Sequence, residues 1–281
     1  MEKWMTIAEL QAGRRRCRGR VGFVPTMGFL HEGHLSLINK AVKENDHVIV
    51  SIFVNPTQFG PSEDLEKYPR DIERDMHLCR SEGAAAVFLP SAEEIYPSGY
   101  QTFIEVTELT RHLCGLSRPT HFRGVCTVVA KLFHLVQPDK AYFGLKDYQQ
   151  FKVLQRMVHD LHFPVETVPC PIVREADGLA MSSRNKYLST EGRREALILK
   201  KALDNVRDAL EKGERSGQAL QEIMQETVAS SPSARLDYAR VAHGETLEDL
   251  EGEIEAEGTL FALAVFIENT RLIDNMVWSH D

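Results

Sequence analysis

Val21-Gly22-Phe23-Val24 is a short apolar run broken by Pro25 and Gly28, and from about His34 the apolar residues Leu35, Leu37, Ile38, Ala41 and Val42 return at helical period. The unit this predicts is strand, small-residue loop, helix, and variants of it recur down the first part of the chain. Val48 to Val54 is an unbroken apolar stretch, the pattern of a strand covered on both faces in a parallel sheet. It empties into the turn-rich segment Asn55 to Pro61. Asp71 to Glu82 reads as a helix, with Pro69 near its first turn and Gly83 ending it; Ala84 to Leu89 reads as a strand stopped by Pro90. Ser91 to Gly99 is irregular, and Phe103 to Val106 is a candidate short strand. Phe122, Val125, Val128, Val129, Leu132, Phe133 and Val136 mark a buried helix closed by Pro138. Lys140 to Phe143 is a strand with the exit loop Gly144-Leu145-Lys146-Asp147, followed by a helix to about Leu161. Val165 to Pro169 and Ile172-Val173 supply one or two more strands. This alternation predicts an α/β domain on a parallel sheet over residues 1–176.

Beyond about Asn185 the texture changes. Thr190 to about Lys212, with Thr190 as N-cap, and Gly217 to about Val228 are charged amphipathic helices. Strands follow near Leu236 to Ala242, Leu260 to Ile267 and Arg271 to Val277. Helices followed by antiparallel strands predict a smaller α+β domain over residues 177–281, joined through a linker near Asp177 to Tyr187. No internal repeat or low-complexity tract interrupts the pattern.

Composition narrows the class. A chain of 281 residues can bury a sizeable core and hold two domains. Its net charge of -8 argues against general nucleic-acid binding, which rests on neutralising phosphates. The exception is the basic run Arg14, Arg15, Arg16, Arg18 and Arg20, read as a solvated connector rather than a polyanion patch. The five cysteines are scattered and form no CxxC, which points to reduced thiols in a cytoplasmic compartment rather than a disulfide frame or zinc site. Met1 to Leu10 lacks the apolar core of a signal peptide, and no apolar run is long enough to span a bilayer.

The candidate chemistry collects at strand exits, where ligands of open parallel sheets bind. The first strand leads to Met27, His31 and His34, the second to Asn55 and Gln58, and the fourth to Lys146, Asp147 and Gln150. The last leads to Arg174 and, past Gly178, to Ser182, Ser183 and Arg184. His31 and His34 share one face of a first helical turn, where free backbone N–H groups and the helix dipole favour an anion. Taken alone, an HxxH pair fits surface decoration or a satisfied core pair as well as a phosphate site. Neither a GxxxxGK[ST] loop nor a GxGxxG fingerprint is present, so the Walker and dinucleotide-binding cradles are excluded.

The longer motifs go further. Pro25-Thr26-Met27-Gly28, His31-Glu32-Gly33-His34, Phe53 to Phe59, Tyr68-Pro69-Arg70, His121 to Val125, Tyr142 to Gln150, Arg174 to Asn185 and Thr270 to Asn275 together resemble the pantothenate synthetase family. The resemblance runs over essentially the whole chain. It implies a Rossmann-like N-terminal domain of nucleotidyltransferase type with a smaller, mobile α+β C-terminal domain, and a homodimer. It implies the magnesium-dependent ligation of (R)-pantoate and β-alanine, with ATP going to AMP and pyrophosphate through a pantoyl-adenylate.

The same resemblance implies residue roles. His31 and His34 contact the ATP phosphates, with His34 the strongest candidate for stabilising the transition state. Lys146, Met181, Ser182, Ser183 and Arg184 hold the nucleotide's phosphate chain, Lys146 and Arg184 sharing the catalytic charge. Met27 also borders ATP, Asp147 binds the ribose, and backbone groups near Phe143 and Gly144 recognise adenine. Gln58, Gln150 and Asn55 bind the pantoate hydroxyls, while Met27 and Pro25 pack on its methyl groups. Asp75 is the magnesium candidate. Three positions depart from the usual pattern: Arg74 where some relatives carry a second acid, Thr120 where glycine is usual, and Leu145 where some carry an acid. The competing readings are a nucleotidyltransferase joining AMP to a phosphorylated acceptor, and a nucleotide-sensing module without chemistry.

Overall fold

A computed structural model describes residues 1–61, 63–255 and 258–279. Contacts divide the chain into two compact units. The first comprises Met1–Thr107, Arg118–Leu145 and Gln150–Pro171; the second comprises Glu108–Ser117, Lys146–Gln149 and Ile172–Asp281.

In chain order the first unit holds β1 (Glu2–Trp4), α1 (Ile7–Arg14), β2 (Val21–Thr26), α2 (Glu32–Glu44), β3 (His47–Ile52), α3 (Ile72–Ser81), β4 (Ala86–Phe88) and α4 (Ala92–Ile95). After the short helix α5 (Cys114–Ser117), which belongs to the second unit, it continues with α6 (His121–Val136), β5 (Lys140–Gly144), most of α7 (Tyr148–Asp160) and β6 (Glu166–Cys170). The six strands form one sheet in the order β1-β4-β3-β2-β5-β6, every neighbouring pair parallel. β2 and β3 pair in register from Val21↔His47 to Thr26↔Ile52. Chain progression reverses between β2 and β5, which are themselves paired through Gly22↔Lys140 and Phe23↔Ala141. A parallel sheet opens a crevice at such a reversal, beyond the carboxyl ends of its strands. The helix α6 is buried on nearly every side and ends at Gln137, whose left-handed φ of 47° turns the chain into Pro138.

The N-terminal segment, to which the periodicity assigns no element, forms β1 and α1. Thr6 and Glu9 make a reciprocal capping box at the start of α1, and Trp4 is buried beneath it. The basic run is solvated at Arg15, Arg16, Arg18 and Arg20, but Arg14 donates to the carbonyls of Val136 and Gln137 and so caps α6. Phe103 to Val106 is extended chain rather than a strand, its backbone tied to α6 where the Ile104 N–H donates to Thr127 Oγ1 at 3.0 Å. Ile172-Val173 lies outside the sheet and leads into an isolated bridge, Arg174↔Ala180.

The second unit is the small α+β part, with α8 (Thr190–Glu195), α9 (Ile198–Glu211), α10 (Gly217–Ala229) and the antiparallel sheet β7 (Ala234–His243), β8 (Thr259–Ile267), β9 (Thr270–Val277). The helix expected over Thr190 to Lys212 is two helices broken at Ala196-Leu197, and the N-cap is Ser189, whose Oγ accepts the Gly192 N–H at 3.0 Å. The central strand β8 is buried along both faces. Phe261, Leu263, Val265 and Ile267 pack against α9 and α10. Leu260 and Ala262 pack with Leu113, Leu247 and Tyr148. That second apolar face explains why two pieces from earlier in the chain belong to this unit. Tyr148 OH donates to the Gly244 carbonyl at 3.1 Å, and the buried Gln149 amide ties Cys114 N–H to the carbonyls of Leu109 and His112. The sequence reading divides the chain at 176/177, whereas the compact second unit starts at Ile172 and takes in these two segments as well.

Where α2 meets β5, Glu44 accepts from Lys40, Tyr142 OH and Lys140, which holds its carboxyl down at about 2, well below its ordinary value of 4.5. A depressed carboxyl stabilises the fold above its unfolded pKa and loses that contribution as pH falls. Glu44→Gln should therefore cost about 1 kcal/mol at neutral pH, a partly exposed cluster being worth no more. Urea melts across a pH series should show the gap between variant and wild type closing between pH 4.5 and about 2. A pH-independent gap would contradict this.

Candidate active site

The loop leaving β2 is held by the side chain of a distant helix. Thr26 Oγ1 donates to the Ser51 carbonyl at 2.8 Å and accepts the Gly28 N–H at 3.2 Å. Gly28 and Phe29 then take left-handed φ values of 86° and 50°. A Cβ at residue 28 would stand 2.8 Å from Ile52 Cγ2 and 3.1 Å from Asp75 Oδ2, so only glycine fits. Asp75, on α3 and 1% exposed, accepts the Phe29 N–H at 2.6 Å and the Leu30 N–H at 2.8 Å, one on each oxygen. Arg74 donates to the Leu30 carbonyl at 2.9 Å and stacks its guanidinium 5.4 Å from the Phe29 ring centroid. Burial pushes the Asp75 carboxyl up, while the two N–H groups oppose that shift.

This clamp delivers His31 to the N-cap of α2 and His34 to its first turn. The rings lie 4.1 Å apart, centroid to centroid, and the His31 N–H donates to His34 Nδ1 at 3.3 Å. With Nδ1 accepting, the proton of a neutral His34 ring sits on Nε2, which makes that nitrogen a donor. The N-terminus of α2 adds positive potential beside it.

The exit from β3 carries an amide network. Asn55 and Gln58 are 1% and 8% exposed. Asn55 Nδ2 donates to Gln58 Oε1 and to the Gly124 carbonyl, both at 3.1 Å. Its Oδ1 accepts Tyr96 OH at 2.9 Å and Thr57 Oγ1 at 3.0 Å. Asn55 is thus saturated, and it fixes which way Gln58 faces: Oε1 is taken, and Nε2 lies 3.1 Å from Met27 Sδ. The close approach of α6 needs Gly124, where a Cβ would fall 2.4 Å from the Thr57 carbonyl oxygen. Arg118 and His121 both bond the Gln58 carbonyl, and Arg118 is paired with Glu63. Tyr96 is the site residue that sequence reasoning missed. It caps the C-terminus of α4, the short helix formed within the Ser91 to Gly99 segment expected to be irregular, and no periodicity links it to Asn55. Burial pushes its phenol up to about 12, so it is a hydroxyl donor at any working pH.

The first unit therefore brings Met27, His31, His34, Asn55 and Gln58 around the β2 and β3 exits. Pro25 lies on β2 itself, Phe143 and Gly144 end β5, and Gln150 is on α7. The second unit holds the remaining candidates. Lys146 and Asp147 form a loose pair at 3.7 Å, and the Lys146 carbonyl accepts from Asn275 at 2.8 Å. Met181 leads into Ser182, which caps a short 3-10 turn containing Ser183 and Arg184 by accepting the Arg184 N–H at 3.2 Å. Asn185 anchors that turn to Glu175 and the Ala180 carbonyl. Asp75 does not fit a metal ligand: it is sealed from solvent with both oxygens bonded to backbone N–H groups, whereas magnesium keeps several waters and needs open oxygens. Among the described residues no cluster of three or more His, Cys, Asp or Glu is placed to hold an ion, and no helix is long and apolar enough to cross a membrane.

Comparison with known proteins agrees with the motifs. The chain is 55% identical over 280 residues to the pantothenate synthetase of Moorella thermoacetica, covering 99% of this chain and 98% of that protein. It is 52% identical to that of Thermotoga petrophila over 275 residues, 97% of this chain and 98% of the other. A pantothenate synthetase structure from Thermus thermophilus superposes with a TM-score of 0.93 at 48% identity, covering 99% of each chain. A pantoate-β-alanine ligase structure from Francisella tularensis, complexed with a β,γ-ATP compound and β-alanine, gives a TM-score of 0.78 at 34% identity over 99% of this chain and 97% of that one. The pantoate-β-alanine ligase family model matches residues 2–277, and the chain belongs to that family.

Proposed function

We propose that this chain condenses (R)-pantoate with β-alanine, using ATP and releasing AMP and pyrophosphate. The observation that carries this reading is the contact of two different recognition sites at one loop. The β2 exit presents an anion-binding helix start at His31 and His34, and a few residues earlier Met27 touches the Asn55–Gln58 amide network. A nucleotidyltransferase needs the first of these sites and has no use for the second.

In this reading the pantoate carboxylate attacks the α-phosphorus of ATP. A carboxylate oxygen–phosphorus bond forms, the bridge from the α-phosphorus to the β-phosphate breaks, and pyrophosphate departs. Two anions meet while charge grows on the leaving group, so the site must supply oriented donors and cations rather than a base. His34 offers its Nε2 proton to the phosphates, with His31 and the α2 N-terminus beside it. Lys146, Arg184, Ser182 and Ser183, with Met181, would hold the phosphate chain, Asp147 the ribose, and the backbone at Phe143 and Gly144 the adenine. Gln58 and Gln150, both able to donate and accept, would bind the pantoate hydroxyls, with Asn55 orienting Gln58 rather than touching pantoate itself, and Pro25 and Met27 would pack its methyls. The amine of β-alanine then attacks the adenylate's acyl carbon; the amide forms, AMP leaves, and the amine sheds its proton. ATP enters as its magnesium complex, the ion being part of the substrate. The enzyme works as a homodimer in the cytoplasm, a setting in keeping with its five free thiols.

With pantoate and magnesium but no β-alanine, the protein should exchange labelled pyrophosphate into ATP. No exchange, and no AMP after β-alanine is added, would eliminate the ligase reading. His34→Ala and Lys146→Ala should each lose about 10²-fold or more in kcat, the scale of removing one charge-stabilising donor; wild-type turnover in both would discredit the assignment. Gln58→Ala should raise the pantoate KM most, and Tyr96→Phe should raise it less, by loosening Asn55; a change confined to the β-alanine KM would place Gln58 elsewhere. Asp75→Ala frees two buried N–H groups and should lower stability by about 2 kcal/mol or more in metal-free, ATP-free protein. An unaltered melt together with a raised magnesium requirement would return Asp75 to the metal.

A further inference from the structure

The segment Thr270 to Asn275 is a motif to which the reading above gives no role. It opens β9, and two consecutive polar residues on it, Asp274 and Asn275, are 2% and 6% exposed. A β-hairpin strand over an apolar core gains nothing from a buried carboxylate next to a buried amide, unless both are engaged. Both are, and each grips a different segment of the chain.

Asp274 takes the Arg174 guanidinium on both oxygens, at 2.7 and 3.0 Å, and accepts the Asn275 N–H at 2.8 Å. Arg174 also donates to the Gly178 carbonyl at 3.1 Å and bridges to Ala180, while the Met181 N–H donates to the Val173 carbonyl. Arg174 thereby closes the hairpin out of which Ser182, Ser183 and Arg184 emerge. The next residue of the strand reaches elsewhere: Asn275 Nδ2 donates to the Lys146 carbonyl at 2.8 Å.

We propose that Asp274 and Asn275 are positioning residues that register Lys146 and the Met181–Arg184 loop to one strand, so that the groups holding the triphosphate keep a fixed spacing. The proposal rests on the phosphate-holding roles given above to those two segments. A pre-set spacing matters because a displacement of about 1 Å at a charge-stabilising group can cost about 10²-fold in rate.

The test is a double-mutant cycle on the full-length enzyme with steady-state kinetics and thermal melts. Asn275→Ala, and the isosteric Asn275→Asp, which cannot donate to a carbonyl, should each lower kcat and raise the ATP KM, roughly tenfold in combination. The pantoate KM should stay near wild type, while the melting temperature falls, more for Asn275→Asp than for Asn275→Ala, because a buried carbonyl loses its donor and the carboxylate has no partner there. In a Lys146→Ala background the same substitutions should cost little more, because a residue that acts through Lys146 has nothing left to position. Asp274→Asn should also impair ATP use; if it does not fold, Asn275→Asp decides the matter. A full additive loss in the Lys146→Ala background, or a Lys146→Ala enzyme impaired while Asn275→Ala handles ATP normally, overturns the positioning role alone. Equal effects on both substrates that merely follow a lowered melting temperature also overturn it. A Lys146→Ala enzyme with wild-type kcat overturns the phosphate-holding reading, and this proposal with it.

Discussion

One buried carboxylate sets the geometry of the first unit's site. Asp75 reaches from α3 to two consecutive N–H groups of the β2–α2 loop, and through them fixes where α2 begins. Left-handed backbone at a non-glycine residue such as Phe29 persists only where its surroundings over-determine it. Here the bonds from Asp75 and the Arg74 guanidinium over the ring do so together. The result is a helix N-terminus whose first turn offers two imidazoles on one face, with the hydrogen bond from the His31 backbone N–H to His34 Nδ1 selecting the tautomer of His34. The amide network follows the same logic. Tyr96 and Thr57 saturate Asn55, and Asn55 orients Gln58. In both places the residue assigned to a substrate is held by one assigned to none.

The second unit depends on a different constraint, a strand with two apolar faces. An antiparallel strand commonly keeps one face for solvent, but β8 buries both. Its second face is covered by Leu113 and Tyr148, which lie far away in sequence. Covering it draws in Glu108–Ser117 and Lys146–Gln149, so Lys146 and Asp147 are built on the same unit as the Ser182–Arg184 turn. β9 touches both parts of that common scaffold, through Asn275 at the Lys146 carbonyl and Asp274 at Arg174.

Local signals made much of this legible in the sequence. Apolar runs bounded by glycine and proline marked the parallel strands, and helical spacing from Leu35 to Val42 marked α2 with His31 and His34 at its start. The three-residue strand β1 is too short to carry a period, and Trp4 alone does not announce one. Phe103 to Val106 alternates like a strand, yet its Ile104 N–H is met by a threonine hydroxyl on α6 instead of a neighbouring strand. Tyr96, Arg174 with Asp274, and the two segments recruited by β8 are long-range pairings that leave no local trace in one sequence. The family resemblance singled out Asp75 as the magnesium candidate, whereas it partners the Phe29 and Leu30 amides, and nothing in its own helix marks what lies opposite.

The proposed function depends on the histidine face of α2 binding a nucleotide beside the hydroxy-acid pocket at Met27 and Gln58. A crystal structure of this chain with a non-hydrolysable ATP analogue and pantoate tests it most directly. The expected result is a triphosphate within hydrogen-bond reach of His34, with the pantoate carboxylate facing its α-phosphorus and Gln58 Nε2 on a pantoate hydroxyl. A triphosphate bound out of reach of His34, or a pantoate lodged away from Gln58 and Met27, would contradict it.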